Sequence, residues 1–338
     1  MRGWRLQDLT LTERTDTLLG LDPQGSLFLG CRLTTSTASW VHGHGGLVFP
    51  DIADLAFDPY RSRLYTPDAL FAGIDTAPYA STPDARIYAW SRQQDESTTR
   101  ALSKTLHDGA VDEALAEWLV ARRPVGVMGG HDVDRDSPQY RQAAELGRAL
   151  TRAGRCVVTG GGPGAMEAAN LGAFLAGEPD RALADALGML GSAPRFRPSV
   201  TEWARAAYAV RSRWPRPSDS LGIPTWFYGH EPPNPFATAI AKYFRNAVRE
   251  DILLSSCTAG IVFLPGAAGT VQEIFQDACE NYYADPTTLA PMVLVGRTHW
   301  TEELPAWPLL RSLARGRPMA DHVHLVDSAA EAVALLSG

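Results

Sequence analysis

Two turns of the same make constrain this chain more than any other feature. Gly260-Ile-Val-Phe-Leu-Pro-Gly-Ala-Ala-Gly-Thr-Val-Gln-Glu273 runs from an apolar strand through a small-residue turn into a helix, and Cys156-Val-Val-Thr-Gly-Gly-Gly-Pro-Gly-Ala-Met-Glu167 does the same upstream. A turn without bulky side chains lets backbone N–H groups and a helix N-terminus close around a phosphate. Two such turns in one alternating segment predict a nucleotide held between two strand ends.

The alternation itself gives the fold class. From Pro124 onward the apolar runs 125–129, 156–159, 260–264, 292–295 and 322–326 read as strands, with weaker strand candidates at 186–190 and 224–228. Helical patterns lie between them, over 139–153, 165–175, 236–254, 271–283 and 302–315, with a terminal helix after the last strand. Fully apolar strands alternating with helices imply an α/β fold, a doubly wound parallel sheet of Rossmann-like type. Residues 23–95 differ in texture. They are rich in proline and glycine and carry short apolar runs at 26–31, 46–50 and 85–90, which predict short strands with turns. We therefore expect an accessory N-terminal segment over residues 1–100 and a nucleotide-binding domain over 101–338.

Composition narrows the function classes. With 338 residues and 45% hydrophobic side chains the chain can bury a sizeable core. A formal charge of −7 argues against a nucleic-acid partner, since a binder of that kind shows a basic domain or stripe. No leader-like apolar region opens the chain, and no run approaches the roughly 20 apolar residues that cross a bilayer, so the expectation is a cytoplasmic protein without a membrane partner. The four cysteines, Cys31, Cys156, Cys257 and Cys279, lack metal-site spacing and read as buried small hydrophobes. The only lysines are Lys104 and Lys242, which leaves little scope for Schiff-base chemistry.

Candidate site residues follow from the turns. Gly160, Gly161, Gly162 and Gly164 stand between a strand and a helix, where a glycine turn acts as an anion cradle or, alternatively, lets the helix pack closely on its strand. Dinucleotide G-x-G-x-x-G spacing is absent, because Pro163 and Ala165 interrupt it. Gly266, Gly269 and Thr270 make the better phosphate turn. A Walker loop requires a lysine before the threonine, and Gly269 stands there, so a monophosphate fits better than a triphosphate. Thr270 and Glu273 also match the T-x-x-E capping box, an alternative duty for that glutamate. Lys242, Arg245 and Arg249 fall at helical spacing as one basic stripe, an anion receiver or a solvated face. Asp132-Val-Asp-Arg-Asp136 lacks the glycine and glutamate of a calcium loop and reads as a solvated loop or an acid-rich helix start. His42/His44 and His322/His324 are spaced to share one strand face, without companions for a metal. Trp226, Phe227, Tyr228, Phe236 and Tyr243 are either base-stacking residues or core.

Together these residues resemble the LONELY GUY (LOG) family of phosphoribohydrolases, often mislabelled lysine decarboxylases. The family's P-G-G-x-G-T-x-x-E motif stands here as Pro265-Gly-Ala-Ala-Gly-Thr-Val-Gln-Glu273, with Ala267 in place of the second glycine. Val157-Val-Thr-Gly-Gly-Gly-Pro-Gly-Ala-Met-Glu-Ala-Ala-Asn170 is similar to its first glycine turn. The family's arginine segment M-x-x-R-K is matched at Lys242-Tyr-Phe-Arg245-Asn246 by the arginine alone. The resemblance covers roughly residues 124–300 and implies hydrolysis of the N-glycosidic bond of a nucleoside 5′-monophosphate, AMP-like or pyrimidine, to free base and ribose 5-phosphate. It implies Glu273 as the carboxylate beside an oxocarbenium-like ribose, Arg245 on the phosphoribosyl group or the departing base, and Gly161, Gly162, Gly266, Gly269 and Thr270 around the phosphate. Gly129 and Gly130, at the end of the first strand, line the same crevice on this reading. No metal or other cofactor is implied, and a homodimer or higher homo-oligomer is. The alternative is a nucleotide sensor of the same fold that binds without cleaving.

Overall fold

The computed structural model describes residues 2–93, 97–227 and 231–337. The chain divides into two compact units, Met1–Arg63 with Gln93–Ala114, and Leu64–Arg92 with Leu115–Gly338. A single boundary at residue 100 is thereby corrected. The segment 64–92 joins the larger unit, where Tyr65 bridges Ile240 and Asp84 pairs with Lys242.

The smaller unit contains a parallel sheet in the order β1 (Arg5–Gln7), β2 (Leu27–Leu29), β3 (Leu47–Phe49). Parallel neighbours need a crossover, and the helices Thr15–Leu19 and Thr35–Gly43 lie in the two connections. Leu18, Phe28, Cys31 and Val41 form its core. Thr34 caps the second helix by accepting from the Thr37 N–H, so His42 lies on a helix and not on the expected strand face.

The larger unit is the expected doubly wound sheet. Its strands are β4 (Pro124–Met128), β5 (Cys156–Thr159), β6 (Ser220–Gly222), β7 (Ala239–Ile240), β8 (Ile261–Phe263), β9 (Met292–Val295) and β10 (Val323–Val326). They lie in the order β10-β9-β8-β4-β5-β6-β7, and every pairing is parallel. The winding reverses beside β4, between β5 on one side and β8 on the other. A sheet of this kind opens a crevice at the carboxyl ends of its strands at that reversal. The helices Pro138–Arg152 and Ala165–Phe174 cross closely over the sheet, because a Cβ at Gly172 would collide with the Ala144 carbonyl.

Several expected elements differ, each for a readable reason. Residues 85–90 belong to the helix Pro83–Ser91, which starts with Thr82 as cap and a proline in its first turn. Residues 186–190 end the helix Asp180–Leu190, whose buried side is Ala182, Leu183, Ala186, Leu187 and Leu190. The proline- and arginine-rich stretch after Pro194 contains a helix, Val200–Arg213, capped by Ser199. Residues 224–227 are irregular apart from a bridge between Thr225 and Tyr243, and Tyr228 lies outside the described residues. The long helix expected over 236–254 is only Asn246–Ser255. Upstream of it residues 236–244 are mostly fully buried and supply the edge strand β7. Cys279 is exposed, whereas Cys31, Cys156 and Cys257 are buried as expected. Among the described residues no helix is long and apolar enough to cross a membrane.

Candidate active site

The carboxyl ends of β4, β5 and β8 meet through backbone hydrogen bonds. Leu264 N–H donates to Met128 O at 2.9 Å, Gly130 N–H to Pro265 O at 3.2 Å, and Ala165 N–H to Gly130 O at 3.0 Å. The loop after β4 is thus tied to both glycine turns. Gly164 sits at φ +74°, and a Cβ there would meet the carbonyl oxygens of Gly130 and His131. Only glycine fits such a position. Gly161, at φ +72°, donates its N–H to Thr159 Oγ1 at 3.0 Å and accepts from Asn234 N–H at 2.8 Å. Asn234 Nδ2 also donates to Asn170 Oδ1 at 3.0 Å and to Gly162 O at 3.3 Å. Asn234 is invisible to motif reading because it lies outside both turns, yet it fixes the shape of the first.

A cavity of about 840 Å³ opens where these turns face each other. Gly129, Gly130, Gly160 and Gly162 line one side, and Gly266, Gly269, Thr270 and Glu273 the other. Gly161 and Gly164 do not line it, and Gly164 lines a neighbouring cavity instead.

The helix Ala268–Tyr283 begins at the cavity with Ala267 as its N-cap and no side-chain cap. The capping box, the alternative duty for Thr270 and Glu273, is not formed. Thr270 is buried inside the first turn, where its side chain would collide with a Cβ at Gly266. First-turn N–H groups have no intrahelical acceptor. Those of Ala268, Gly269 and Thr270 therefore present donors and the positive end of the helix dipole to the cavity. His299 Nε2 lies 3.1 Å from Gly266 O, and its Nδ1 lies 2.9 Å from Glu303 Oε2, an arrangement that braces the turn from outside the motif.

The basic stripe is corrected. Lys242 is buried and bonded to Asp84 Oδ1 at 2.8 Å, a carboxylate that also accepts from Trp226 Nε1 and from the Tyr79 hydroxyl. Arg245 is exposed at the start of the helix Asn246–Ser255 and does not line the cavity. Arg249, one helical turn later, does. Its Nη2 donates to Asn246 Oδ1 at 2.9 Å and to Glu250 Oε1 at 3.2 Å, while its buried Nε has no hydrogen-bond partner among the described residues. Glu250 also accepts from Asn246 Nδ2 and Gln272 Nε2, both at 2.7 Å.

Glu273 is only partly exposed. The protein packed around it removes most of its hydration, which pushes its carboxyl from 4.5 up to about 7. Arg249 pulls it down and Glu250 adds to the rise. A carboxyl that titrates near neutrality exchanges a proton readily in either direction.

Of the expected aromatic residues, Trp226, Phe236 and Tyr243 are core, and Phe227 is exposed. The Asp132–Asp136 segment is not wholly solvated. Arg135 is fully buried and bonded to Glu167 at 2.5 Å. Among the described residues there is no group of three or more His, Cys, Asp or Glu side chains suited to a metal.

Residues 122–178 match the model of the SLOG cluster4 family. The resemblance read from the first glycine turn holds over this segment. The match takes in β4, β5 and that turn, and the second turn lies beyond it. Similar solved structures include a molybdenum cofactor binding protein from the phototrophic bacterium Rippkaea orientalis, at 17% identity and a TM-score of 0.38, covering 64% of this chain and 96% of that one. A molybdenum cofactor carrier protein from Chlamydomonas reinhardtii matches at 19% identity and a TM-score of 0.39, covering 64% of this chain and 99% of its own. No curated protein matches the chain.

Proposed function

We propose that the protein hydrolyses the N-glycosidic bond of a nucleoside 5′-monophosphate. What carries the reading is the shared cavity, in which two side-chain-poor turns, an uncapped helix N-terminus, Arg249 and a carboxyl titrating near 7 line one space. Its volume suits a small-molecule ligand, for which about 300–1,000 Å³ is usual. The phosphate sits on the N–H groups of Ala268, Gly269 and Thr270 beside the Arg249 guanidinium, which lines the same cavity. Arg249 thereby replaces Arg245 in the role expected from the motif.

Held in this way, the ribose is delivered to Glu273. The bond between C1′ and the base nitrogen breaks with its electron pair going to the base. Water adds to the oxocarbenium-like C1′, and Glu273 in its ionised form accepts the proton that water loses. That proton ends on the base, which leaves neutral. Site and reaction are tested by incubating purified protein with AMP, CMP, GMP and UMP and following free base by chromatography. Release by the wild type, loss of release in Glu273→Gln and retained nucleotide binding in that variant support the reading. Retained binding with no release by the wild type would assign the site to sensing instead.

A further inference from the structure

A second chamber of about 510 Å³ adjoins the first, and the two share His131, Asp132, Val133 and Glu231 as walls. Three of the shared residues come from the loop after β4 and the fourth is Glu231, so the two chambers adjoin at these four residues. With the phosphoribosyl group in the first cavity, the part of the ligand beyond the ribose is the base.

At the junction with the first cavity the lining favours an uncharged N–H donor over a second phosphate. Glu167 is neutralised by Arg135, both fully buried, and Asp134 is bonded through two contacts of 2.5 and 2.7 Å to Arg195. Asp132 and Glu231 remain at the junction, accompanied by His131, whose Nε2 lies 3.3 Å from Asp132 Oδ1. Two carboxylates at the entrance repel a dianion. They accept hydrogen bonds from N–H donors.

The chamber also has an aromatic wall. Phe196 packs edge-on against the buried Trp203 at 6.5 Å between ring centroids, and the Arg197 guanidinium lies 5.4 Å from the centre of the Phe196 ring. Trp203 is itself fixed, since Arg135 lies 4.5 Å over its ring and donates to its carbonyl at 2.9 Å. The buried Arg135–Glu167 pair therefore anchors the platform on which Phe196 rests. An aromatic ring held in place at a cavity wall offers a stacking face at little entropic cost.

We propose that this chamber is the base subsite, that Phe196 stacks on the base, and that Asp132 and Glu231 favour a base carrying an exocyclic amino group over one carrying a carbonyl at that edge. The inference rests on the proposed phosphoribosyl site, and the experiment separates the two. Binding of ribose 5-phosphate, AMP and IMP is measured by calorimetry on full-length Glu273→Gln protein, with ribose 5-phosphate also measured on the wild type. AMP is expected to bind at least tenfold more tightly than ribose 5-phosphate, and several-fold more tightly than IMP. Phe196→Ala should erase most of the first advantage while leaving ribose 5-phosphate unchanged, and Phe196→Trp should keep it. Asp132→Asn combined with Glu231→Gln should erase the second. If ribose 5-phosphate binds and Phe196→Ala leaves AMP untouched, or IMP matches AMP, the subsite is overturned alone. If ribose 5-phosphate binds to neither protein, the reading of the first cavity fails and the subsite with it.

Discussion

Replacing Glu273 by glutamine should stabilise the protein while it removes the chemistry, and the gain should depend on pH. Burial holds the carboxyl at about 7 in the folded chain against 4.5 for an ordinary glutamate. Between those values the folded state keeps a proton that the unfolded state has released, so stability falls as pH rises from about 4.5 to about 7. Each tenfold change in proton affinity is worth about 1.36 kcal/mol, and the rise from 4.5 to about 7 gives a penalty on the order of 3 kcal/mol at pH 8. At pH 5 the folded carboxyl is already neutral, and the penalty shrinks below about 1 kcal/mol. Glutamine is uncharged at both. Glu273→Gln should therefore raise the melting temperature by roughly 5 °C or more at pH 8 and much less at pH 5, read by calorimetry of both proteins in matched buffers. An equal change at the two pH values, or destabilisation at pH 8, would refute the argument that burial strains this carboxylate.

On the proposed reaction, with Glu273 acting as base, kcat/KM for nucleotide hydrolysis should climb with pH and level off above about 7. A profile flat from well below to well above that value would remove Glu273 from the base role. Arg249→Ala should weaken ribose 5-phosphate binding by about tenfold or more, in line with a charge-assisted hydrogen bond worth about 1.5–3 kcal/mol, whereas Arg245→Ala should stay within about twofold. Equal losses in the two variants would return the anion contact to Arg245. Lys242→Met should destabilise the larger unit by roughly 3–5 kcal/mol in urea titration, because it leaves Asp84 buried without its cation. A loss below about 1 kcal/mol would show that Tyr79 and Trp226 satisfy Asp84 by themselves.

What the sequence revealed is what depends on neighbours along the chain. Apolar strands and glycine turns are local patterns, so β4, β5, β8, β9 and β10 and both turns were legible. Helix starts written as Thr82-Pro83 and Ser137-Pro138, a capping side chain followed by proline, were equally local signals. After the first of them the run Ile87-Tyr88-Ala89-Trp90 imitates a strand. Distant partners decided the rest. Lys242 reads as one member of a basic stripe until Asp84, far away in sequence, draws it into the core. Once residues 236–244 leave the helix, its start moves to Asn246, and the turn facing the cavity carries Arg249 instead of Arg245. Phe196 lies in a loop whose packing on Trp203 has no periodic signature.

The departures from the motif have a common physical consequence. Glu250 follows Arg249 and accepts from it, and Gln272 and Asn246 hold Glu250 in place. The cavity's own arginine is thus largely offset before any ligand arrives, in a chain whose formal charge is −7. Attraction of an anion by net charge is weak under these conditions, so on the proposed reading the grip on phosphate comes mainly from the fixed dipole and free donors of the uncapped first turn of the helix Ala268–Tyr283. Those donors act at short range and only on a group seated in the turn, which favours a small terminal phosphate over a diffuse polyanion. The carboxylate that offsets Arg249 also helps to raise Glu273. On that reading a single residue, Glu250, connects how the ligand is held with the protonation state of Glu273, the group that takes the proton from water.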